Sequence, residues 1–249
     1  MKQLIKRNLK RVLHPLIIRL GYKDNTQEIG LLEKFFSLLN EIGFVPEHII
    51  DVGANHGGWT RTALNYFPSA YYSMLEPQHW LELQVKDLLE SNPKIKFYPF
   101  GAGSQSGSFK FTIAGRDDSS NFVLSTEDAK NAGYEQIDVD VVTLNELISK
   151  NNLAQPDIIK IDAEGLDLEV LKGADNFLGK TEIFMVEAAV VAKGIENTFS
   201  RVVEFMDQHG YKLFDITDLN RPFEPRVLWL TELVFIKKGG MIDVKKIIV

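Results

Sequence analysis

The feature that most constrains the fold is an alternation of short apolar runs with helical segments, which begins at residue 48. The runs are short and almost wholly apolar, as expected of strands that are buried on both faces. Strands that alternate with helices form a mostly parallel sheet with right-handed crossovers. The predicted strands are 48–52, 71–75, 95–100, 157–161 and 182–186, and the predicted helices are 59–66, 80–89, 166–172 and 198–208.

Two stretches depart from this alternation. Apolar residues alternate with polar ones in 109–113 and again in 137–141, which predicts an antiparallel pair joined by an irregular loop at 116–136. A loop of that length in a compact domain is usually functional or mobile. The closing strands, 211–216 and 230–236, have no helix between them, so we expect the last strand to run antiparallel.

Two helical stretches, 2–20 and 28–43, precede the first strand. We therefore divide the chain into an N-terminal helical extension, 1–45, and a main domain, 46–249. The predicted fold class is α/β, with a doubly wound, mostly parallel, seven-stranded Rossmann-like sheet and N-terminal helices.

Composition narrows the classes of protein further. A chain of 249 residues that is 45% hydrophobic suits one globular domain, and the absence of cysteine excludes disulfides and thiolate chemistry. The net charge of −6 disfavours a nucleic-acid partner. We find neither an apolar run near the ~20 residues of a membrane span nor a signal peptide, and we expect a cytoplasmic protein.

The first 23 residues are basic and contain no acid. Apolar residues interleave with the basic ones, which leaves two alternatives: a helix on the inner face of an anionic membrane, through residues 1–20, or a helix that packs on the main domain. Pro15 interrupts the pattern and favours packing. The basic residues are Lys2, Lys6, Arg7, Lys10, Arg11, Arg19 and Lys23.

A glycine-rich loop follows the first predicted strand, where doubly wound sheets bind ligands. Gly53, Gly57 and Gly58 let the backbone approach a ligand, but Asn55 stands where a dinucleotide fingerprint requires glycine. The chain also lacks the Gly-Lys-Ser/Thr of a phosphate loop. A ligand without phosphates is therefore favoured, and S-adenosylmethionine is the common one.

Acidic residues at the strand ends support this interpretation. Glu76 ends the second strand, where it can accept hydrogen bonds from both ribose hydroxyls, and Asp51 can hold the cofactor's ammonium group directly or through water. After the third strand, Gly101 and Ala102 offer only backbone and apolar contacts to the adenine. The predicted cofactor-binding residues are Asp51, Gly53, Ala54, Asn55, Gly57, Gly58, Glu76, Pro77, Gly101 and Ala102.

Several segments resemble motifs of the FkbM-type methyltransferases. Residues 50–58 resemble the first motif, Glu76-Pro77 the second, and residues 157–174 the most recognisable stretch. Residues 141–147 resemble the segment before it, and Glu187 matches a further family acid. The resemblance covers about residues 47 to 190, and the motifs are specific in this order and spacing. His56, where the family usually has an apolar residue, and Asn145, where it usually has Asp, depart from the pattern.

The resemblance implies a class I methyltransferase fold. It also implies transfer of a methyl group from S-adenosylmethionine, usually to a hydroxyl oxygen of a sugar or polyketide-like natural product. The expected partner is thus a small-molecule or glycan acceptor. Two alternatives remain open, an NAD(P)-dependent oxidoreductase of Rossmann type and a non-catalytic module with a methyltransferase-like fold.

Acids on the same rim are the candidates for catalysis. We take Asp162 or Glu164, after the fourth parallel strand, as the general base and Glu187 as its orienting partner. Carboxylates that converge there would repel one another, which can raise a pKa. No metal ligands are assigned. Mg²⁺ would suit these oxygens, but no ligand spacing supports it, and it is not favoured.

Other polar residues have less defined roles. For Asp167 and Glu169 we favour a solvated helix face, and for Lys160 a head that reaches solvent or pairs with a nearby acid. Ser119, Ser120 and Asn121 lie in the long loop and are candidates for the acceptor pocket, and His79 is expected to lie on the surface.

Overall fold

The computed structural model of the chain describes residues 29–113, 120–122, 124–191, 196–222 and 227–244. The predicted helix 2–20 and the membrane alternative for residues 1–20 lie outside this part. The described residues from Leu31 onward form one compact unit. Within the described ranges, no helix is both long enough and apolar enough to cross a membrane.

The predicted parallel sheet is confirmed. The large sheet has seven strands: β1 (His48–Val52), β2 (Tyr71–Leu75), β3 (Ile95–Tyr98), β7 (Ile158–Ile161), β8 (Ile183–Ala189), β9 (Tyr211–Asn220) and β10 (Leu230–Lys237). Their order across the sheet is β3-β2-β1-β7-β8-β10-β9. Strands β1, β2, β3, β7 and β8 are parallel, and β10 is antiparallel to both of its neighbours.

A smaller sheet carries the predicted antiparallel pair. β5 (Gly107–Ile113) pairs antiparallel with β6 (Glu135–Val142), whose other edge pairs with β4 (Gly101–Ala102). The segment between β5 and β6 is not the irregular loop predicted at 116–136, because it contains the helix α4 (Thr126–Ala132). Ser125 caps the start of this helix by accepting a hydrogen bond from the Asp128 N–H, and Gly133 ends it at φ 77°.

Helices cover both faces of the large sheet, as the alternation predicts. They are α1 (Leu31–Glu41), α2 (Gly58–Tyr66), α3 (Lys86–Ser91), α5 (Leu144–Lys150), α6 (Asp167–Lys172) and α7 (Phe199–Gln208), with 3₁₀ turns at His79–Val85 and Asp175–Phe177. One core cluster on the sheet includes Phe184 and Leu233, and another includes Phe36 and Met74.

Helix α1 belongs to the core of the main unit. Phe35, Phe36 and Leu39 are buried against the sheet, and the Phe36 ring contacts the rings of Trp59 and Phe67. The compact unit therefore begins at Leu31, ahead of residue 46, where the sequence suggested a boundary.

Candidate active site

The loop after β1 packs directly on the end of β7. Gly53 has φ 71°, and a Cβ atom there would lie 1.9 Å from the Asp162 carbonyl oxygen. The N–H groups of Gly53 and Ala54 both donate to the Leu75 carbonyl at the end of β2, at 2.9 and 3.0 Å. Only glycine fits this position, and the loop is consequently fixed where β1, β2 and β7 end.

Asp51 lies beneath the loop rather than facing a cleft. Its side chain is fully buried, accepts a hydrogen bond from the Thr60 hydroxyl at 2.6 Å, and forms an ion pair with Lys160 at 3.2 Å. The sequence suggested that Asp51 could contact the cofactor's ammonium group. Its contacts with Thr60 and Lys160 hold the loop and the lysine in place, and its contact with the cofactor stays a prediction.

Lys160 connects the loop to the acids beyond it. Its ammonium donates to the carbonyls of Val52 and Gly53 at 3.2 and 3.0 Å and lies 3.4 Å from the Asp162 carboxylate. Burial disfavours the charged form, but the attraction of Asp51, Asp162 and Glu232 outweighs it and raises the pKa of Lys160. The prediction of a nearby acidic partner is confirmed, and the lysine head is buried.

Glu76 lies at the end of β2 and is tied to both loops around it. One carboxylate oxygen accepts from the Asn55 N–H at 2.9 Å, and the other accepts from the Gln78 N–H at 3.0 Å and its side-chain amide at 3.1 Å. Burial raises the pKa of Glu76, and these hydrogen bonds oppose the shift. A carboxylate has about four acceptor sites, so capacity remains for a ligand hydroxyl.

A cleft opens over these strand ends. Six predicted cofactor-binding residues line it: Gly53, Asn55, Glu76, Pro77, Gly101 and Ala102. Ala54 and Gly58 line a neighbouring cleft instead, and Gly57, at φ 75°, packs against Val85 and Leu88 under the loop.

The cleft fits a nucleoside cofactor that carries positive charge. Its walls include apolar residues suited to a purine, and the carboxylates of Glu76, Asp162 and Glu164 also line it. The apolar wall residues are Val52, Leu75, Phe100, Phe111 and Phe122.

The three candidate acids lie where this cleft meets two others. Asp162 also lines a second cleft, with Trp59, Lys160 and Glu232, and Glu164 also lines a third, with Asn197 and Trp229. Glu187 lines the second and the third. The structure therefore brings the predicted acids together around one junction.

Glu164 has an unusual backbone conformation, and Glu187 has an unusual pKa. The backbone of Glu164 has φ 50°, a left-handed conformation that is uncommon for residues other than glycine and is often found at functional sites. Burial, followed by repulsion from Asp162, Asp167 and Glu164, raises the pKa of Glu187 to about 10. At neutral pH, Glu187 therefore holds a proton while this environment lasts.

Two further acids belong to the junction, and the sequence interpretation missed both. Glu232 on β10 lies directly opposite Glu187 on β8, accepts a hydrogen bond from Thr217, and has a pKa that burial raises to about 7. The available signal was a lone acid inside the apolar run 230–236.

The second missed acid is Asp167, and its assignment to a solvated helix face is wrong. Its side chain is fully buried, and burial, reinforced by the charge of Asp162, raises its pKa to about 7. The Ala163 N–H and the Asn197 side-chain amide both donate to it. Glu169, by contrast, keeps a side chain that is 38% exposed and pairs with Lys172.

The long loop contributes to the clefts. Ser120 and Asn121 line the first cleft, and Asn121 also lines the third, whereas Ser119 lies outside the described residues. His79 is exposed, as expected. Among the described residues, no group of three or more His, Asp or Glu side chains is arranged to hold a metal ion.

The chain matches the sequence model of a known protein family. The family model described as the methyltransferase FkbM domain matches residues 51–213. No curated protein sequence matches the chain.

Solved structures resemble this fold at low sequence identity. The crystal structure of methyltransferase FkbM from Methylobacillus flagellatus KT matches with a TM-score of 0.51 and 17% identity over 76% of this chain. That match covers 43% of the Methylobacillus chain, so the present chain spans less than half of its length. A precorrin-6y C5,15-methyltransferase from Geobacter metallireducens GS-15 matches with a TM-score of 0.46 and 14% identity, over 81% of this chain and 86% of its own.

Proposed function

Since the chain belongs to the FkbM methyltransferase family, we propose that it transfers the methyl group of S-adenosylmethionine to a hydroxyl oxygen of a small-molecule or glycan acceptor. The observation that supports this most is the junction of clefts: the glycine loop, Glu76, Asp162 and Glu164 all line the first cleft. The family also favours a transferase over the oxidoreductase alternative.

The residues of the first cleft suit the parts of this cofactor. Glu76 is placed to accept hydrogen bonds from the ribose hydroxyls, the backbone at Gly101 and Ala102 borders the adenine, and Asp162 attracts the ammonium group. When bound, the cofactor supplies a methyl group on a sulfonium. Alignment of the acceptor with that group can contribute up to about 7–11 kcal/mol of catalysis.

We assign the acceptor to the third cleft. Glu164 and Asn121 line both this cleft and the first, so a molecule there reaches the same junction as the cofactor. Tyr134 and Trp229 supply aromatic surface and Asn121 and Glu196 supply polar groups, a combination that suits a ring bearing several hydroxyls. A glycan or a hydroxylated natural product has this chemistry.

A general base removes the acceptor's hydroxyl proton as the oxygen attacks. Asp162 or Glu164 takes the proton, and Glu187 orients the base or the acceptor. A base of this kind contributes about 10²–10⁴-fold in rate. Glu187 is the poorest base of the three in the present environment because it already holds a proton at neutral pH.

Cofactor binding is tested by thermal shift with S-adenosylhomocysteine and NAD. We expect S-adenosylhomocysteine to raise the melting temperature and NAD to leave it unchanged, and Glu76→Gln to weaken the shift. Stabilisation by NAD alone would support the oxidoreductase instead. No shift with millimolar S-adenosylhomocysteine would support a non-catalytic module.

The acceptor class is tested with S-adenosylmethionine bearing a tritiated methyl group and a panel of methyl glycosides and hydroxylated natural products. Single-turnover transfer is then compared among Asp162→Asn, Glu164→Gln and Glu187→Gln. We expect the largest loss, about 10²-fold or more, for the base. Unchanged rates in all three variants would end this assignment of the acids.

A further inference from the structure

We propose that Asp167 and Asn197 are positioning residues that hold Glu164 and Glu187 at a fixed separation, an inference that rests on the proposed function of those acids. The two residues form a buried connection, which we call the Asp167–Asn197 tie. It joins the loop after β7 to the end of β8.

The hydrogen bonds of the tie reach both strands. On one side, the Ala163 N–H donates to an Asp167 carboxylate oxygen at 3.0 Å, next to Glu164. On the other side, the Asn197 side-chain amide donates to the second Asp167 oxygen at 2.7 Å and to the Glu187 carbonyl at 2.6 Å. The Ala189 N–H donates to the Asn197 carbonyl at 2.9 Å, which fixes Asn197 to β8 by its backbone as well.

The Asp167–Asn197 tie lies just beyond the point where the hydrogen-bonded pairing of β7 with β8 ends. The parallel pairing of β7 with β8 ends at Ile161 and Val186, one residue before Asp162 and Glu187. Beyond that pair, no hydrogen bond of the β7–β8 ladder holds Asp162 and Glu187 at a fixed separation. The tie supplies the attraction that the ladder no longer provides.

The orientation of the Asn197 amide supports this role. Its nitrogen faces two acceptors, and a reversed amide would put oxygen against both of them. Its oxygen is buried and has no hydrogen-bond partner among the described residues. An unsatisfied buried acceptor is uncommon and calls for a reason, and the two bonds made by the nitrogen provide one.

The chain offers a matched control at the other end of the same strands. Thr181, just before β8, is fully buried and donates its hydroxyl to the Pro156 carbonyl, just before β7, at 2.9 Å. Thr181→Val therefore removes a buried bond between the same two strands, far from the acids. It measures the effect of such a loss on stability alone.

The test compares Asn197→Ala, Asp167→Asn and Thr181→Val with the full chain. We expect faster amide hydrogen exchange at Ala163 in the first two variants and unchanged exchange there in the third. In single-turnover transfer to the best acceptor of the panel above, the first two should lower the rate about 10- to 100-fold, while affinity for S-adenosylhomocysteine stays within about twofold. Thr181→Val should leave both unchanged.

Rescue separates a tie from a mere loss of packing. In the double variant D167N/N197D, the amide at 167 can accept from Ala163 and donate to the carboxylate at 197, but the Glu187 carbonyl loses its donor. Amide exchange at Ala163 should therefore return towards the wild-type rate, while methyl transfer should stay as slow as in Asp167→Asn. If Asn197→Ala does not fold, Asp167→Asn and the double variant decide the question.

Two results would overturn the inference: Ala163 exchange that no tie variant changes, or a loss of rate that Thr181→Val reproduces. A wild-type chain that binds S-adenosylhomocysteine yet transfers no methyl group contradicts the proposed function instead. The exchange measurement still reports on the tie in that case.

Discussion

At the scale of single residues, Gly53 is the position where the loop admits no side chain. Gly133 is its natural control, because it has a similar φ, 77° against 71°, but nothing lies within 4 Å of a Cβ placed there. We expect Gly133→Ala to cost about 1–2 kcal/mol for the left-handed backbone alone. Gly53→Ala should cost more and abolish the thermal shift with S-adenosylhomocysteine. Equal losses of stability in urea unfolding, with binding retained, would contradict this.

Lys160 is the second decisive residue. Replacing it with methionine leaves Asp51 buried without its ion-pair partner, and we expect the free energy of unfolding to fall by about 3–5 kcal/mol. Lys110 pairs with Asp138 on the surface, at 2.8 Å, and Lys110→Met should change stability by no more than about 1 kcal/mol. Denaturant titrations of the two variants would show whether the contrast exists.

The positions of the site residues could be predicted from the sequence to different extents. The glycine loop and Glu76 could be predicted because they follow directly from where β1 and β2 end. The burial of Asp167 could not, since six helical residues give too short a pattern to show which polar side chain turns inward. Its burial depends on donors from Ala163 and Asn197, which are distant from one another in sequence.

At the scale of elements, the pairing of β8 with β10 places Glu187 opposite Glu232. The sequence pattern predicts that both segments are strands. The register between them depends on contacts between residues that are far apart in sequence. Helix α4 was missed for another reason. The sequence contains its capping residues, Ser125 at the start and Gly133 at the end, but the segment is rich in polar residues, and this pattern predicts a loop.

The burial of Glu187 at the end of β8 predicts how stability depends on pH. The pKa of Glu187 rises from its ordinary value of 4.5 to about 10 on folding, so the folded state binds a proton that the unfolded chain releases. The resulting contribution to stability is complete below pH 4.5 and is lost as pH rises towards 10. We therefore expect the melting temperature of the ligand-free chain to fall from pH 5 to pH 9.

Glu187→Gln should flatten this profile and raise the melting temperature at pH 9. A weaker slope up to about pH 7 should remain, because Asp167 and Glu232 each have a pKa raised to about 7. The exposed Glu90 on α3 provides the control, since Glu90→Gln should leave the profile unchanged. A profile that is the same in wild type and Glu187→Gln would be inconsistent with a protonated Glu187.

At the scale of the whole molecule, α1 determines where the smallest stable unit begins. A chain of residues 29–249 keeps the buried Phe35, Phe36 and Leu39, and we expect it to unfold cooperatively and to bind S-adenosylhomocysteine. A chain of residues 46–249 loses all three. The deletion of one buried phenylalanine already costs about 3–5 kcal/mol, against a typical total of about 5–15 kcal/mol, so this shorter chain should not fold.

Thermal melts followed by circular dichroism would compare these two chains with the full one. Cooperative unfolding of 46–249 near the temperature of the full chain would show that the boundary lies at 46 after all. The basic segment 1–23 stays a sequence-based prediction, with membrane contact and packing as its two alternatives.

The acids around Lys160 also affect the release of the demethylated cofactor. Methyl transfer turns a positively charged sulfonium into a neutral thioether, so a site bordered by Asp162 and Glu164 loses part of its attraction for the molecule it has just used. Product inhibition by S-adenosylhomocysteine should therefore be weak. Asp162→Asn should narrow the difference in affinity between the two forms of the cofactor, which competition binding would measure. The same charges that destabilise the empty protein would thus speed its turnover.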